Sequence, residues 1–330
     1  MRNYNKEKIQ NLRSLIEHSL TPLIDNDYIY LDLPYHNNIG DILIWKGTEE
    51  FLTKINHNCL YRCDFETYKK PKVDDKVVIL LHGGGNIGDI WHVHSKFRKT
   101  IIESFPNNKI IILPQTVHYE HISNLQKDVA IYSKHKHITI CARDNHSYSI
   151  LTKNFNQNKI LNLPDMAFCI SEKFILSHYK EDNLGRNLFF KRKDREFKDY
   201  PYESSIPQNI KISEKEWPSM DHISLPHVTM RIIQIVSHFI GNFFFTPNLL
   251  NRIVNWYAYK VYMPFLCKIG IKFISSYSKV YSTRLHGAIL SILTNRPIVI
   301  FDNSYGKNRN FCESWLQDFN NVDFVSFNKD

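Results

Sequence analysis

The pentapeptide Asn-Ile-Gly-Asp-Ile occurs twice, at 38–42 and at 86–90, and each copy lies just beyond a β-branched and aliphatic run, 28–33 and 76–81. A strand that breaks at Asn, Gly and Asp and gives way to a helical pattern is a strand-turn-helix unit, and repeated units of that kind pack as a parallel sheet with helices on its faces. Glycine placement extends the argument. The chain has 11 glycines, and eight of them (Gly40, Gly47, Gly83, Gly84, Gly85, Gly88, Gly287 and Gly306) fall in or beside four such turns. Glycine concentrates where positive φ or close backbone approach is needed.

The alternation continues along the chain. Ile9, Leu12, Ile16 and Leu20 predict an amphipathic helix over 5–20 that packs on the first half; strands follow at 109–113 and 137–142, with helices around 122–133 and 145–151. A second half starts at the strand 187–190 and the charged run 191–196, which reads equally as a solvated strand end or a phosphate contact. The expected fold is therefore α/β, two doubly wound parallel sheets, divided as 1–170 and 171–330 over the 330 residues. Residues 200–227 read as a surface excursion. Residues 228–272, rich in Ile, Phe, Tyr and Trp but interrupted by basic residues, read as core helices, with a surface lying on an anionic membrane face as the alternative. The segment 311–330 is mostly polar, with Trp315, Leu316 and Phe319 at helical spacing.

Near the C-terminal end, 280–287 and 297–307 form a strand, turn, helix, strand and turn. In a parallel unit both strands open onto one crevice, which brings Arg284, His286 and Lys307 together as an anion pocket. The formal charge of +9, with 16 histidines besides, points to anionic partners. Six scattered cysteines without ligand spacing read as reduced thiols of a cytosolic protein. No signal-peptide core or uncharged apolar run of about 18 residues is expected to take the chain into or across a membrane.

Several chemistries lack their residues. Gly83–Gly88 satisfies G-x-G-x-x-G after a strand, but the next strand ends in Leu113-Pro114-Gln115 instead of the acidic residue that would hold a nicotinamide ribose. No Walker lysine, Gly-x-Ser-x-Gly elbow or cysteine-histidine pair appears. His92 and His94 point to different faces of a helix start and read as surface residues, so no metal is expected.

Asn38–Asp41, His82–Asp89, Leu113–Thr116, Ala142–Asp144, Lys193–Glu196, Thr283–Gly287 and Asp302–Lys307 together resemble the polysaccharide pyruvyl transferases, in that family's order and over 35–310. The resemblance implies a GT-B-like architecture, two Rossmann-like domains facing a cleft. It also implies transfer of pyruvate from phosphoenolpyruvate to a sugar as a cyclic ketal, with phosphoenolpyruvate as co-substrate and no cofactor. The first half would take the acceptor, a glycan or polyprenyl-diphosphate-linked oligosaccharide, and the second the donor. Arg143, Arg284 and Lys307 would orient the donor, joined in the substrate site by Leu285, Asn303, Asn38, Gly40, Gly84, Gly85 and Asn86. His286 would move the proton near the donor, and Asp41 or Asp89 would serve the acceptor hydroxyls, unless these aspartates only cap helices. The setting would be cytoplasmic, with peripheral contact at the inner membrane and no nucleic acid. Two readings stand beside it: a nucleotide-sugar GT-B glycosyltransferase, and a non-catalytic binder of polyanions.

Overall fold

The computed structural model describes residues 5–181, 185–194, 196–243 and 247–327, with the side chains of 240–248 outside the description. Its first sheet takes β1 (Tyr28–Leu31), β2 (Cys59–Arg62), β3 (Val78–Leu81), β4 (Gly84–Gly88), β5 (Ile110–His118), β6 (Ile138–Ala142) and β7 (Lys159–Asn162). Around them lie α1 (Lys6–Leu20), α2 (Ile39–Leu52), α3 (His92–Ser104), α4 (Ile122–Tyr132), α5 (Asn145–Asn154) and α6 (Glu172–His178). The second sheet takes β8 (Asn187–Phe190), β9 (Ile212–Lys215), β10 (Lys279–Ser282), β11 (Ile298–Phe301) and β12 (Val322–Val325). Its helices are α7 (Pro218–Asp221), α8 (Leu225–Phe243), α9 (Pro247–Tyr257), α10 (Met263–Ser275), α11 (Leu285–Leu293) and α12 (Lys307–Trp315).

All pairings are parallel. The first sheet runs β2-β1-β3-β5-β6-β7, and β4 pairs with the far half of β5, prolonging the line of β3 past His82. The second runs β12-β11-β10-β8-β9. Both sheets thus share one winding: the second strand lies outside the first, and the chain then crosses back to build the other side. The order reverses between β1 and β3 and again between β8 and β10, where open α/β sheets form their ligand crevices.

Burial explains why these runs are strands. Val78–Leu81 and Ile298–Phe301 are buried at every residue, as central parallel strands covered on both faces must be, whereas β2, β7, β9 and β12 at the edges are partly exposed. Alternate residues sort to opposite faces. Tyr28, Tyr30, Val78 and Leu80 join Leu188, Phe190, Val280 and Ile298 in one core that also holds α2, α10 and α11, so the two halves share their interior. Ile29, Leu31, Ile79 and Leu81 face α3, α4 and α5 on the other side.

Several expectations change. Gly47 is no turn: it lies inside α2, where a Cβ would stand 2.0 Å from the Met166 carbonyl oxygen. The 200–227 excursion contains β9, and the C-terminal segment supplies β12. Helix α1 contributes Ile9, Ile16 and Leu20 to the shared core, while Arg13 donates to the carbonyls of Phe168 and Ile170.

Candidate active site

A cavity of about 350 Å³ opens where the two reversals face each other. The first half lines it with His36, Asn38 and Asp41 after β1, with Gly85 and Asn86 on β4, and with Trp91 and His94 at the start of α3. The second half adds Arg192, Asp194 and Glu196 after β8, Trp217 and Met220 at α7, Arg284, Leu285 and His286 after β10, and Lys307 after β11. The sequence-predicted trio of Arg284, His286 and Lys307 therefore meets at one cavity.

The turn that carries Arg284 is tied by Ser282, whose hydroxyl donates to the Arg284 carbonyl at 2.9 Å and accepts from its N–H at 3.0 Å. Helix α11 then starts close against the sheet, because at Gly287 a Cβ would lie 2.5 Å from the Phe190 ring. That docking fixes the direction of Arg284 and His286.

The cations of the expected anion pocket do not stand bare. Arg284 donates twice to Glu216, at 2.5 and 2.6 Å, and to Asp194 at 3.1 Å. Arg192 holds Asp194 at 2.8 and 3.0 Å and Glu196 at 2.5 Å. Lys307 Nζ is 3.4 Å from Glu196, a looser contact than the two arginines make. Arg143 lies behind the cavity wall, donating to Asp165 at 2.7 Å and to the Thr116 hydroxyl. Four cations are thus balanced by Asp165, Asp194, Glu196 and Glu216, a fixed array whose hydrogen bonds satisfy its buried charges.

Electrostatics follow from that array. Burial alone would raise the Glu196 carboxyl, but Lys307 and Arg192 outweigh it and hold the group far below the usual carboxylate range. Asp165 is likewise depressed against its burial, by His286 and then Arg143. Burial, helped by Arg143 and Arg192, brings the Lys307 ammonium below the ordinary lysine value despite Glu196.

The first-half wall is built differently. Asn38 caps α2 by accepting from Gly40 N–H at 3.1 Å and turns its amide toward Asp41 at 2.7 Å. Burial opposes ionisation of Asp41, but His36 and His286 prevail and keep its carboxyl below the usual range. Gly40 lets the halves touch: a Cβ there would be 2.6 Å from His286 Nδ1, while Nε2 of the same ring faces Asp165 at 3.3 Å. At Gly85 a Cβ would lie 3.1 Å from Lys307 Nζ, so the bare backbone leaves room for the ammonium. Gly84, at φ 133°, turns the chain beside Asp41.

Not every predicted residue reaches the cavity. Asp89 is absent from its lining; its two oxygens accept from the N–H groups of Glu120 and His121 and from the Asn124 amide, holding the start of α4. Asn303 works one step back, accepting from Lys307 N–H at 2.8 Å and donating to Glu196 at 3.3 Å. Arg195 lies outside the described residues.

The structure adds residues that sequence reasoning passed over. His92 is exposed, but His94 lines the cavity and bonds Asp32 at 2.7 Å, and Asp32 sits at φ 65° with Arg98 2.9 Å away. Only the position of His94, at a helix start beside a chain reversal, could have signalled this. Glu216 lay in the segment read as an excursion without period, with nothing local to pair it with Arg284. Among the described residues no group of three or more His, Cys, Asp or Glu is placed to hold a metal ion.

Comparison with known proteins agrees with this layout. The solved structure of an uncharacterized protein from Klebsiella pneumoniae shares the fold, with a TM-score of 0.63 over 96% of this chain and 98% of its own at 17% identity. The putative pyruvyl transferase EpsO of Bacillus subtilis is 30% identical over 320 residues, 94% of this chain and 90% of its own length. Pyruvyl transferase 1 of Schizosaccharomyces pombe is 25% identical over 309 residues, 87% of this chain and 69% of its own. The polysaccharide pyruvyl transferase family model matches residues 38–305, and the glycosyltransferase and polyanion-binder readings gain no support. The chain belongs to the polysaccharide pyruvyl transferase family and is an enzyme of that class.

Proposed function

We propose that the enzyme transfers the pyruvyl group of phosphoenolpyruvate to two hydroxyls of one sugar in a polysaccharide or its lipid-linked precursor, forming a cyclic ketal and releasing phosphate. The observation that carries this reading is the meeting of Arg284, His286 and Lys307 with Asn38 and Asp41 around one cavity at two facing chain reversals. This is also the arrangement a GT-B-like enzyme would use, with the donor on the second half and the acceptor on the first.

The donor brings a carboxylate and a phosphate. Arg284, Arg192 and Lys307 exchange hydrogen bonds from Asp194, Glu196 and Glu216 to these groups, while Arg143 and Asp165 hold the wall behind. Loosely held Lys307 gives way first. His286, oriented by Asp165, donates a proton to the methylene carbon, and the cationic centre formed at the neighbouring carbon is taken by the first sugar hydroxyl. Asp41 accepts the proton of that hydroxyl. The second hydroxyl then attacks the same carbon, the carbon–oxygen bond to phosphate breaks, and the phosphate leaves. His286, now neutral, takes the proton of the second hydroxyl and is restored, and Asp41 passes the proton of the first to the departing phosphate, which leaves both groups as they began. Asp89 takes no part. A reaction fed by phosphoenolpyruvate belongs in the cytoplasm.

The test supplies purified enzyme with phosphoenolpyruvate and a panel of glycan acceptors. Acceptor-dependent phosphate release, together with a new ketal methyl resonance in the product's proton spectrum, is the expected result. Phosphate release without a ketal methyl, or turnover of a nucleotide sugar in its place, overturns the reading.

A further inference from the structure

Helices α8 and α9 seat Met230 and Val254 in the shared core, yet most of their large apolar residues face outward while polar ones face the sheet. Inward, α8 presents Gln234, which donates to Asp64 at 2.7 Å, and α9 presents Asn251, which donates to the Tyr61 hydroxyl at 3.1 Å, and Asn255, which donates to the Arg62 carbonyl. Outward, α8 shows Leu225, Val228, Ile232, Ile235, Val236 and Phe239, and α9 shows Leu249, Ile253 and Trp256. Phe239 is 62% and Trp256 60% exposed. A soluble helix turns its apolar stripe to the core; here hydrogen bonds fasten the polar stripe to the β2 edge, and the stripe left outside runs about 21 Å along α8. An exposed apolar surface of this extent marks an interaction site.

Charge selects the occupant. Beside Trp256 opens a wide groove bearing Arg62, Lys70, Lys72, Arg252 and Lys260, with no carboxylate among its lining residues. Arg62 is matched by Glu49 behind it; Lys70, Lys72, Arg252 and Lys260 are all exposed around the apolar face, Lys70 donating to the Ser104 carbonyl at 2.8 Å. A second copy of the chain docking about a two-fold axis would bring these cations toward one another, whereas an anionic bilayer offers both an apolar interior for the stripe and phosphates for the groove. No helix among the described residues is long and apolar enough to cross a membrane. We infer that α8, α9 and the basic groove beside them form a docking surface for an anionic lipid bilayer, with the two helices lying in the interface. The surface leads to the reaction site, since Met220 lines the cavity and Ile223, three residues on, is 77% exposed.

The test is co-sedimentation of the full chain with sucrose-loaded vesicles of phosphatidylglycerol and phosphatidylcholine, against phosphatidylcholine alone. Wild type is expected to partition onto the anionic vesicles and to be released by salt. Ile232→Gln with Phe239→Gln removes the apolar anchor and should weaken binding at least tenfold. Lys70→Ser with Lys72→Ser should weaken it roughly 25-fold, about fivefold per charge near the surface. Both doubles alter exposed side chains, and unchanged melting by circular dichroism confirms that they fold. Wild type that ignores anionic vesicles, or doubles that bind as wild type does, would overturn the inference. So would light scattering that shows a dimer which the apolar double turns into a monomer without any vesicle binding. Pyruvyl transfer to a water-soluble acceptor is a separate readout, so failure here and failure of the proposed reaction are told apart.

Discussion

The two copies of Asn-Ile-Gly-Asp-Ile have identical residues and different fates. In the first, Asn38 caps α2, Gly40 lets His286 approach, and Asp41 lies at the cavity. In the second, Asn86 and Gly88 belong to a strand paired with β5, Gly88 sits at φ 124°, and Asp89 ties down the start of α4. The difference lies in what runs alongside. After β1 the chain leaves the sheet at once, but after β3 the far half of β5 continues beyond Ile112 and offers Gln115, Val117 and His118 as pairing partners. A pentapeptide sets a turn; the neighbouring strand decides whether its aspartate faces the cavity or ties down another turn.

Substitutions in matched pairs can break or sharpen this comparison. Asp41→Asn should lower kcat for pyruvyl transfer by about 10²–10⁴, the usual contribution of a general base, with little change in melting temperature. A rate near wild type would return the acceptor base to the open question that the sequence posed. Gly88→Ala should cost about 3 kcal/mol or more in urea unfolding, since its Cβ would meet the His118 carbonyl oxygen at 1.6 Å on a backbone at positive φ.

Gly40→Ala, by contrast, should leave folding largely intact while displacing His286, and a misplacement of this kind costs about 100-fold in rate. Equal losses of stability in the two glycine variants would erase the distinction between a functional and a structural turn. Next in size is a pH effect at the head of the second copy. His82 is buried and accepts or donates at the Tyr30 hydroxyl 2.6 Å away, and burial first of all lowers its pKa to about 4. The unfolded chain takes up this proton near pH 6.5, so stability should fall with falling pH in that window, by roughly 1–2 kcal/mol between 6.5 and 5. A His82→Gln variant should show a flatter profile; an unchanged slope would contradict the assignment. Smallest of all, Asp89→Ala should lose roughly 1 kcal/mol as the hydrogen bonds to Glu120, His121 and Asn124 are replaced by water, with kcat unaltered.

Much of the fold was legible because central parallel strands are continuous apolar runs, as 78–81, 110–113 and 298–301 are, and because scarce glycines punctuate the turns. The edge strands were not. Cys59–Arg62 and Ile212–Lys215 are half polar and gain their strand character from a buried neighbour, Tyr28–Leu31 in one case and Asn187–Phe190 in the other. At the site, Arg284, His286 and Lys307 could be brought together on paper because they follow adjacent parallel strands. Their carboxylate partners could not: Glu216 is 68 residues from Arg284 and Asp165 is 121 from His286, and no local period records such pairs. Helix α8 shows the opposite failure, since its strong apolar stripe suggests a core helix while the structure turns that stripe outward.

The central claim is that the cavity at the two reversals holds phosphoenolpyruvate through cations already present as ion pairs. Calorimetric titration of phosphoenolpyruvate into wild type, Lys307→Gln and Asp41→Asn tests it directly. One donor molecule per chain in wild type, affinity at least tenfold weaker in Lys307→Gln and nearly unchanged in Asp41→Asn, is the predicted outcome. Binding that ignores Lys307, or that is lost equally with Asp41, would contradict a donor site on the second half.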